Sequence, residues 1–307
     1  MATVQEARVE IRERTGKNLF SGTRGWALLV LPALVLLFAS FGLPLARIIY
    51  MSFSEPEPTW ANFREFFTEE VYLRVLWNTV RLSLTATVLT ALIAYPYAFL
   101  MARSKGGMRT FLMACVLLPM WTNTLVRSFA WMLMLNDTGI INGLLQSMSL
   151  TEEPFPLIRT PLGVAIGMTH VLLPYMVLPM YASISALDPS LPRAAAGMGA
   201  GPLSVLVHVV LPLTRSGILG GCLLVFVMSL GFYITPALLG SPDAMVLSQM
   251  INEHVNGTLN WGMAAACAVV LLGLTLLLLA VAGRFVRVGG LLSGQAAVSA
   301  PRRGAGS

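Results

Sequence analysis

Few side chains in this 307-residue chain are placed to do chemistry, because only 11% of it is charged. The most polar stretch inside apolar surroundings is Pro119 to Met132, PMWTNTLVRSFAWM. Asn123, Arg127 and Trp131 recur there at i, i+4 and i+8, which predicts one shared helix face. Arg127 is the most deeply set charge of the chain. A charge at mid-bilayer costs about 2.5–3.5 kcal/mol on insertion scales, so it must turn inward and find an acceptor. Two roles fit it: lining a solute route, or locking onto backbone carbonyls of a neighbouring helix. Trp121, Tyr175, Phe232 and Tyr233 are aromatic candidates beside proline- or glycine-broken helix. Such rings attract an ammonium group by about 0.5–2 kcal/mol each. Phe232 and Tyr233 equally suit an interfacial belt. His170, alone in its segment, reads as a hydrogen-bonded packing residue.

Other chemistry is missing. Gly16-Lys17 is followed by Asn18 and lacks the upstream glycine of a phosphate-binding loop, so no ATP hydrolysis is expected in this chain. HExxH and GxSxG are absent, and no acidic residue lies inside an apolar segment. Proton-coupled carriers rely on such an acid, which argues against a secondary transporter. Cys115, Cys222 and Cys267 sit in apolar segments without paired spacing and read as core residues, so neither metal nor cofactor is expected here.

The elements that position these residues belong to a membrane. The chain is 56% hydrophobic, with a mean hydropathy of +0.75. A soluble domain carries about 25% charge. Six apolar helical spans are expected, at about 26–50, 78–102, 110–135, 162–187, 216–239 and 261–285. A polar segment, 1–25, precedes them, and a tail rich in Gly, Ala and Ser, 287–307, is expected to be disordered. The part of the loop 136–160 from Gly139 to Ser149 is a candidate short interfacial helix. Prolines 174 and 179 predict kinks in the fourth span. Gly163/Gly167 and Gly217/Gly221 form small-residue faces suited to close helix contact. One set of loops, with both termini, carries fourteen of the twenty Lys and Arg but four of the fourteen acids. Both termini and the loop 188–215 are therefore expected on the cytoplasmic side.

That loop, DPSLPRAAAGMGAGPLSVLVHVVLPLTRSGILGG from Asp188 to Gly221, is too polar and broken to cross a membrane. Pro189, Pro192 and Pro202 interrupt it. Two short helices are expected, about Arg193–Met198 and Leu203–Val210, around a turn at Gly199-Ala200-Gly201. Leu191, Ala194-Ala195, Gly199-Ala200, Leu211-Pro212-Leu213 and Gly217-Ile218 follow the spacing of the EAA loop. The chain thereby resembles the permease subunits of bacterial ABC importers. Where that family carries Glu before the two alanines, this chain has Arg193.

The resemblance implies an all-α integral membrane protein of the type I importer permease fold in the inner membrane. It implies a second permease subunit, two cytoplasmic ATPase subunits that use ATP and Mg, and an external substrate-binding protein. Arg193, Ala194, Ala195, Gly199 and Ala200 would couple to the ATPase. Leu117–Phe129, Gly139–Leu145, Val171–Ile184 and Asn260–Ala266 resemble the polyamine branch, and within it the first of its two permeases. Opines, amino-acid derivatives and phosphonates are the alternative cargoes, and Arg127 suits an anion better than a polycation.

Overall fold

A backbone in hydrocarbon must pair its polar groups within its own segment, which leaves helices as the spanning element for a chain of this pattern. The computed structural model describes residues 23–55 and 57–294, and among them there is no strand. The first span comprises α1 (Thr23–Leu37), a π-turn (Phe38–Gly42) and α2 (Leu43–Ser54). A short helix, α3 (Ala61–Thr68), leads into α4 (Glu70–Arg103). Then follow α5 (Gly106–Leu117), α6 (Thr124–Leu135), α7 (Ile140–Ser147) and α8 (Pro161–Ser185). The loop hairpin holds α9 (Ser190–Gly197), α10 (Pro202–Val205), a π-turn (Leu206–Val210) and α11 (Leu211–Leu213). The chain closes with α12 (Arg215–Leu230), α13 (Ile234–Leu239), α14 (Leu247–Asn256) and α15 (Trp261–Gly294).

Among the described residues four helical stretches are long and apolar enough to cross a bilayer. The number rises to six if each of two bent pairs, one of them turning by 67° between the hairpin and α12, counts as one span. The other bend and a separate helix break revise two expected spans. In the third, Gly106–Trp121 and Thr124–Ser147 meet at 103°. Pro119 opens a 3₁₀ turn, Leu118–Trp121, and Asn123 then caps the next helix, its Oδ1 accepting the Leu125 N–H at 2.8 Å. Asn123 is therefore the helix start, its side chain turned to cap the Leu125 N–H while its carbonyl accepts the Arg127 N–H at 3.1 Å. In the fifth, α12 stops at Leu230, and α13 begins only at Ile234. The freed Phe232 carbonyl is met by the Ser248 hydroxyl at 2.8 Å.

Two boundaries also move. The second span was expected from residue 78, but α4 begins at Glu70 and has 34 residues. At 1.5 Å per residue it is about 51 Å long, well beyond a hydrocarbon core of about 30 Å. Its outer turns are held by protein: Tyr72 and Val75 are buried against Leu247, Met250 and Met263. At the other end of the chain, residues 287–294 continue α15, since no proline interrupts the sequence before Pro301. The remainder of the expected tail, and most of segment 1–25, lie outside the described residues. The kinks expected at Pro174 and Pro179 do not divide α8, which runs through both.

The core sits where α4, α8 and α12 pack, around Ala94, Met168, Leu172, Met176 and Val225. Glycine permits that approach. A Cβ on Gly217 would meet the Ser183 side chain and, at 2.7 Å, the Pro179 carbonyl. One on Gly221 would meet Met176 Sδ at 2.9 Å, and one on Gly167 would meet Leu239 and Thr235 at 2.9 Å. Gly217 and Gly221 are thus the contact of α12 with α8 and Gly167 that of α8 with α13, whereas a Cβ on Gly163 would meet the Leu157 carbonyl just before α8.

Candidate functional site

Two regions carry the polar side chains singled out above. The first is the loop hairpin. Asp188 Oδ1 accepts the Ser190 N–H at 2.9 Å and starts α9. That bond, with Arg193 nearby, holds the Asp188 carboxyl below the usual carboxylate range. Gly199 adopts φ +90°, which closes α9 with Gly199 N–H to Ala196 O at 3.0 Å and Ala200 N–H to Ala195 O at 3.1 Å. Under the hairpin, Ala195, Val205 and Val210 form a small buried core with Phe99 and Leu187.

Besides the packing of Phe99, Thr214 at the hairpin's exit reaches two spans. Thr214 Oγ1 lies 3.5 Å from Tyr95 Oη of α4, and the Thr214 carbonyl accepts the Ser183 hydroxyl of α8 at 3.4 Å. Of the five expected coupling residues, Arg193, Ala194 and Gly199 are exposed, Ala200 is half-buried and Ala195 is buried. Ala195 therefore packs the hairpin from inside. The sequence reading missed the hairpin's outer apolar face: Met198 is 84% exposed and Leu203 72%. A large apolar residue in an otherwise polar loop was the available signal. Beside this face runs a groove of about 590 Å³ lined by Phe99, Arg103, Arg193, Ala196, Leu203 and Leu206.

The second region surrounds the bend in the third span. Arg127 Nη2 donates to Thr124 Oγ1 at 3.1 Å, while Nε and Nη1 are enclosed without a partner. One turn on, Trp131 meets the His170 ring edge-to-face, with centroids 5.7 Å apart. His170 Nδ1 is likewise buried without a partner, so this histidine is not the hydrogen-bonded packing residue expected. Tyr175 lies half-buried, within electrostatic reach of Arg127. Arg127, Trp131, His170 and Tyr175 thus converge between α6 and α8. Trp121 stands apart on the 3₁₀ turn, 89% exposed. Phe232 and Tyr233 occupy the second break; Phe232 packs on the core and Tyr233 is 40% exposed.

A third cluster, absent from the sequence reading, lies at the start of α4, at the end away from the hairpin. Tyr72 Oη donates to Glu65 Oε1 at 3.3 Å and meets His254 Nε2 at 3.3 Å, with the two rings stacked at 5.9 Å. Burial, then Glu65, pushes the Tyr72 phenol above its ordinary value. Burial lowers the His254 imidazole, against the pull of Glu65 and Glu253. Among the described residues no group of His, Cys, Asp and Glu is arranged to hold a metal.

The comparisons with known proteins agree with this architecture. The chain is 35% identical over 220 residues to the spermidine/putrescine transport system permease protein PotB of Haemophilus influenzae, covering 72% of this chain and 76% of that protein. It is 33% identical over 227 residues to the inner membrane ABC transporter permease protein YdcU of Escherichia coli, covering 70% and 72%. A chain of the crystal structure of a bacterial ABC transporter that imports the acidic polysaccharide alginate matches with a TM-score of 0.67. It is 20% identical, with 89% of this chain and 98% of that one covered, and so speaks for the fold alone. Residues 94–287 match the family described as binding-protein-dependent transport system inner membrane component. With the glycine-turned hairpin, the bent spans and these relatives together, the chain belongs to that family and is a permease of the ABC importer class.

Proposed function

We propose that this permease forms, with a second permease subunit, the membrane route of an ATP-driven importer for polyamines. Two ATPase subunits, which would bind ATP and Mg, dock on the hairpin, and an external binding protein delivers the cargo. The observation that carries the coupling role is the attachment of the hairpin through Thr214 to both α4 and α8. Closure of the ATPase pair would move α9 to α11 as one body and pull on those spans together. The loop charges favour a cytoplasmic hairpin and termini. The cargo class rests on the PotB proteins, named for spermidine and putrescine.

The test is the ligand profile of the cognate binding protein, followed by uptake in vesicles holding all subunits. Putrescine or spermidine should bind and be taken up with ATP. A second reading, an anionic cargo such as an opine or phosphonate, is favoured by the unpaired Arg127. It replaces the first if the binding protein ignores polyamines and takes the acid.

A further inference from the structure

Arg127 presents a fixed positive charge inside a membrane span, with two of its three nitrogens enclosed and unpartnered. Its one bond, to Thr124 Oγ1, is to a neutral group on the same turn. Buried polar groups without partners are rare, and each one calls for an acceptor. This chain gives it none: of its fourteen acidic residues only Glu70 and Asp137 fall within the spanning segments. Glu70 is on the first turn of α4 and paired with Arg74, Asp137 is in the turn after α6, and neither bonds Arg127. A trapped water would supply a hydrogen bond but leave the charge uncompensated. The side chain as a whole is half-buried, so it lies at the margin of this chain's packing.

We propose that Arg127 pairs with an Asp or Glu carboxylate carried by a membrane span of the second permease subunit. This rests on the two-permease route proposed above. A polyamine is protonated at every amine and offers only donors, so such a cargo cannot be the acceptor. A cargo is also transient, whereas the cost of a buried charge persists through every state of the cycle. A resident carboxylate meets both conditions. It would also keep the route from repelling a polycation at its midpoint. His170 Nδ1, unpartnered and one aromatic ring away, is a further group such a carboxylate would satisfy. The guanidinium need only exchange its bond to Thr124 for the ion pair.

The test uses both permeases co-expressed with the ATPase and extracted in detergent. Arg127→Gln should lower recovery of the two-permease complex by about tenfold or more, and Arg127→Lys by less. Each Asp and Glu within the second subunit's apolar segments is then neutralised to Asn or Gln. One such change should reproduce the loss, and combining it with Arg127→Gln should restore assembly, since the neutral pair leaves no lone charge. If Arg127→Gln assembles as the wild type does, or if the second subunit has no acid in its spans, the inference falls while the two-permease reading stands. If assembly is intact and Arg127→Gln instead abolishes uptake of a carboxylated solute, the acceptor is the cargo and the inference is wrong. If the wild-type chain recovers no second permease, the reading and the inference fall together.

Discussion

Ser128 and Thr235 share a fully buried hydrogen bond of 2.8 Å across α6 and α13. It joins the helix that follows the first broken span to the helix that follows the second. Each break leaves a short helix without its own membrane-long partner, and this bond fixes the two against each other. Truncating one member strands the other hydroxyl in an apolar core. Thr235→Val should therefore cost about 1–3 kcal/mol of stability. Ser128→Ala combined with Thr235→Val should cost less than the two single changes added. A double-mutant cycle by thermal unfolding in detergent measures the difference; strict additivity would mean the bond contributes nothing.

Gly217 and Gly221 set the distance between α12 and α8. An added side chain at Gly217 meets backbone, the Pro179 carbonyl, which cannot rotate away. At Gly221 it meets the end of a flexible methionine. Gly217→Ala should thus be the more damaging change, by about 1–3 kcal/mol, with Gly221→Ala milder. Because α12 leaves the hairpin directly, across a 67° bend at Thr214, the Gly217 variant should also lose ATP-driven uptake. Melting temperature and uptake are read on the same preparation. Equal tolerance of both substitutions would contradict the close approach.

Much of this was legible beforehand, and the failures share a cause. The long apolar helices, the hairpin and its glycine turn follow from hydrophobic length and from Pro and Gly placement. Those are local properties, and Gly199 with its φ of +90° was readable from residue type alone. The third span was not, because Pro119 lies in an apolar run and Asn123 reads equally as a polar stripe or a helix cap. Only the chain's turn of 103° decides for the cap. The length of α4 escaped because Glu70, Tyr72 and Arg74 look like loop residues until α14 and α15 pack on Tyr72 and Val75. The Tyr72–His254 contact joins residues 182 positions apart, beyond any local pattern.

His254 makes that outer contact sensitive to pH. Burial depresses its imidazole below the ordinary value in the folded protein. A base with a depressed folded pKa binds its proton more weakly than the unfolded chain does. Stability is therefore full above the ordinary value of about 6.5 and falls as the pH drops through it toward the folded value. Thermal unfolding of the detergent-extracted protein should lose stability between about pH 7 and pH 5. His254→Gln should flatten that slope. An unchanged slope would place the titrating group elsewhere.

Gly199 offers the sharpest test of the hairpin. Nothing lies within 4 Å of a Cβ added there, so steric clash is not at issue and only the backbone conformation is challenged. A β-branched residue at φ +90° carries strain of about 1–3 kcal/mol, whereas asparagine tolerates the left-handed region. Gly199→Val should distort the turn between α9 and α10 and shift the exposed Met198 and Leu203 relative to each other. The protein should still insert, since the spans are untouched, but ATP-driven uptake should fall by about tenfold or more. Gly199→Asn should retain most of it. Met198→Ser with Leu203→Ser should weaken ATPase co-purification without disturbing the turn. Normal uptake and normal ATPase stimulation in Gly199→Val would remove the hairpin from the coupling route, whatever the membrane part does.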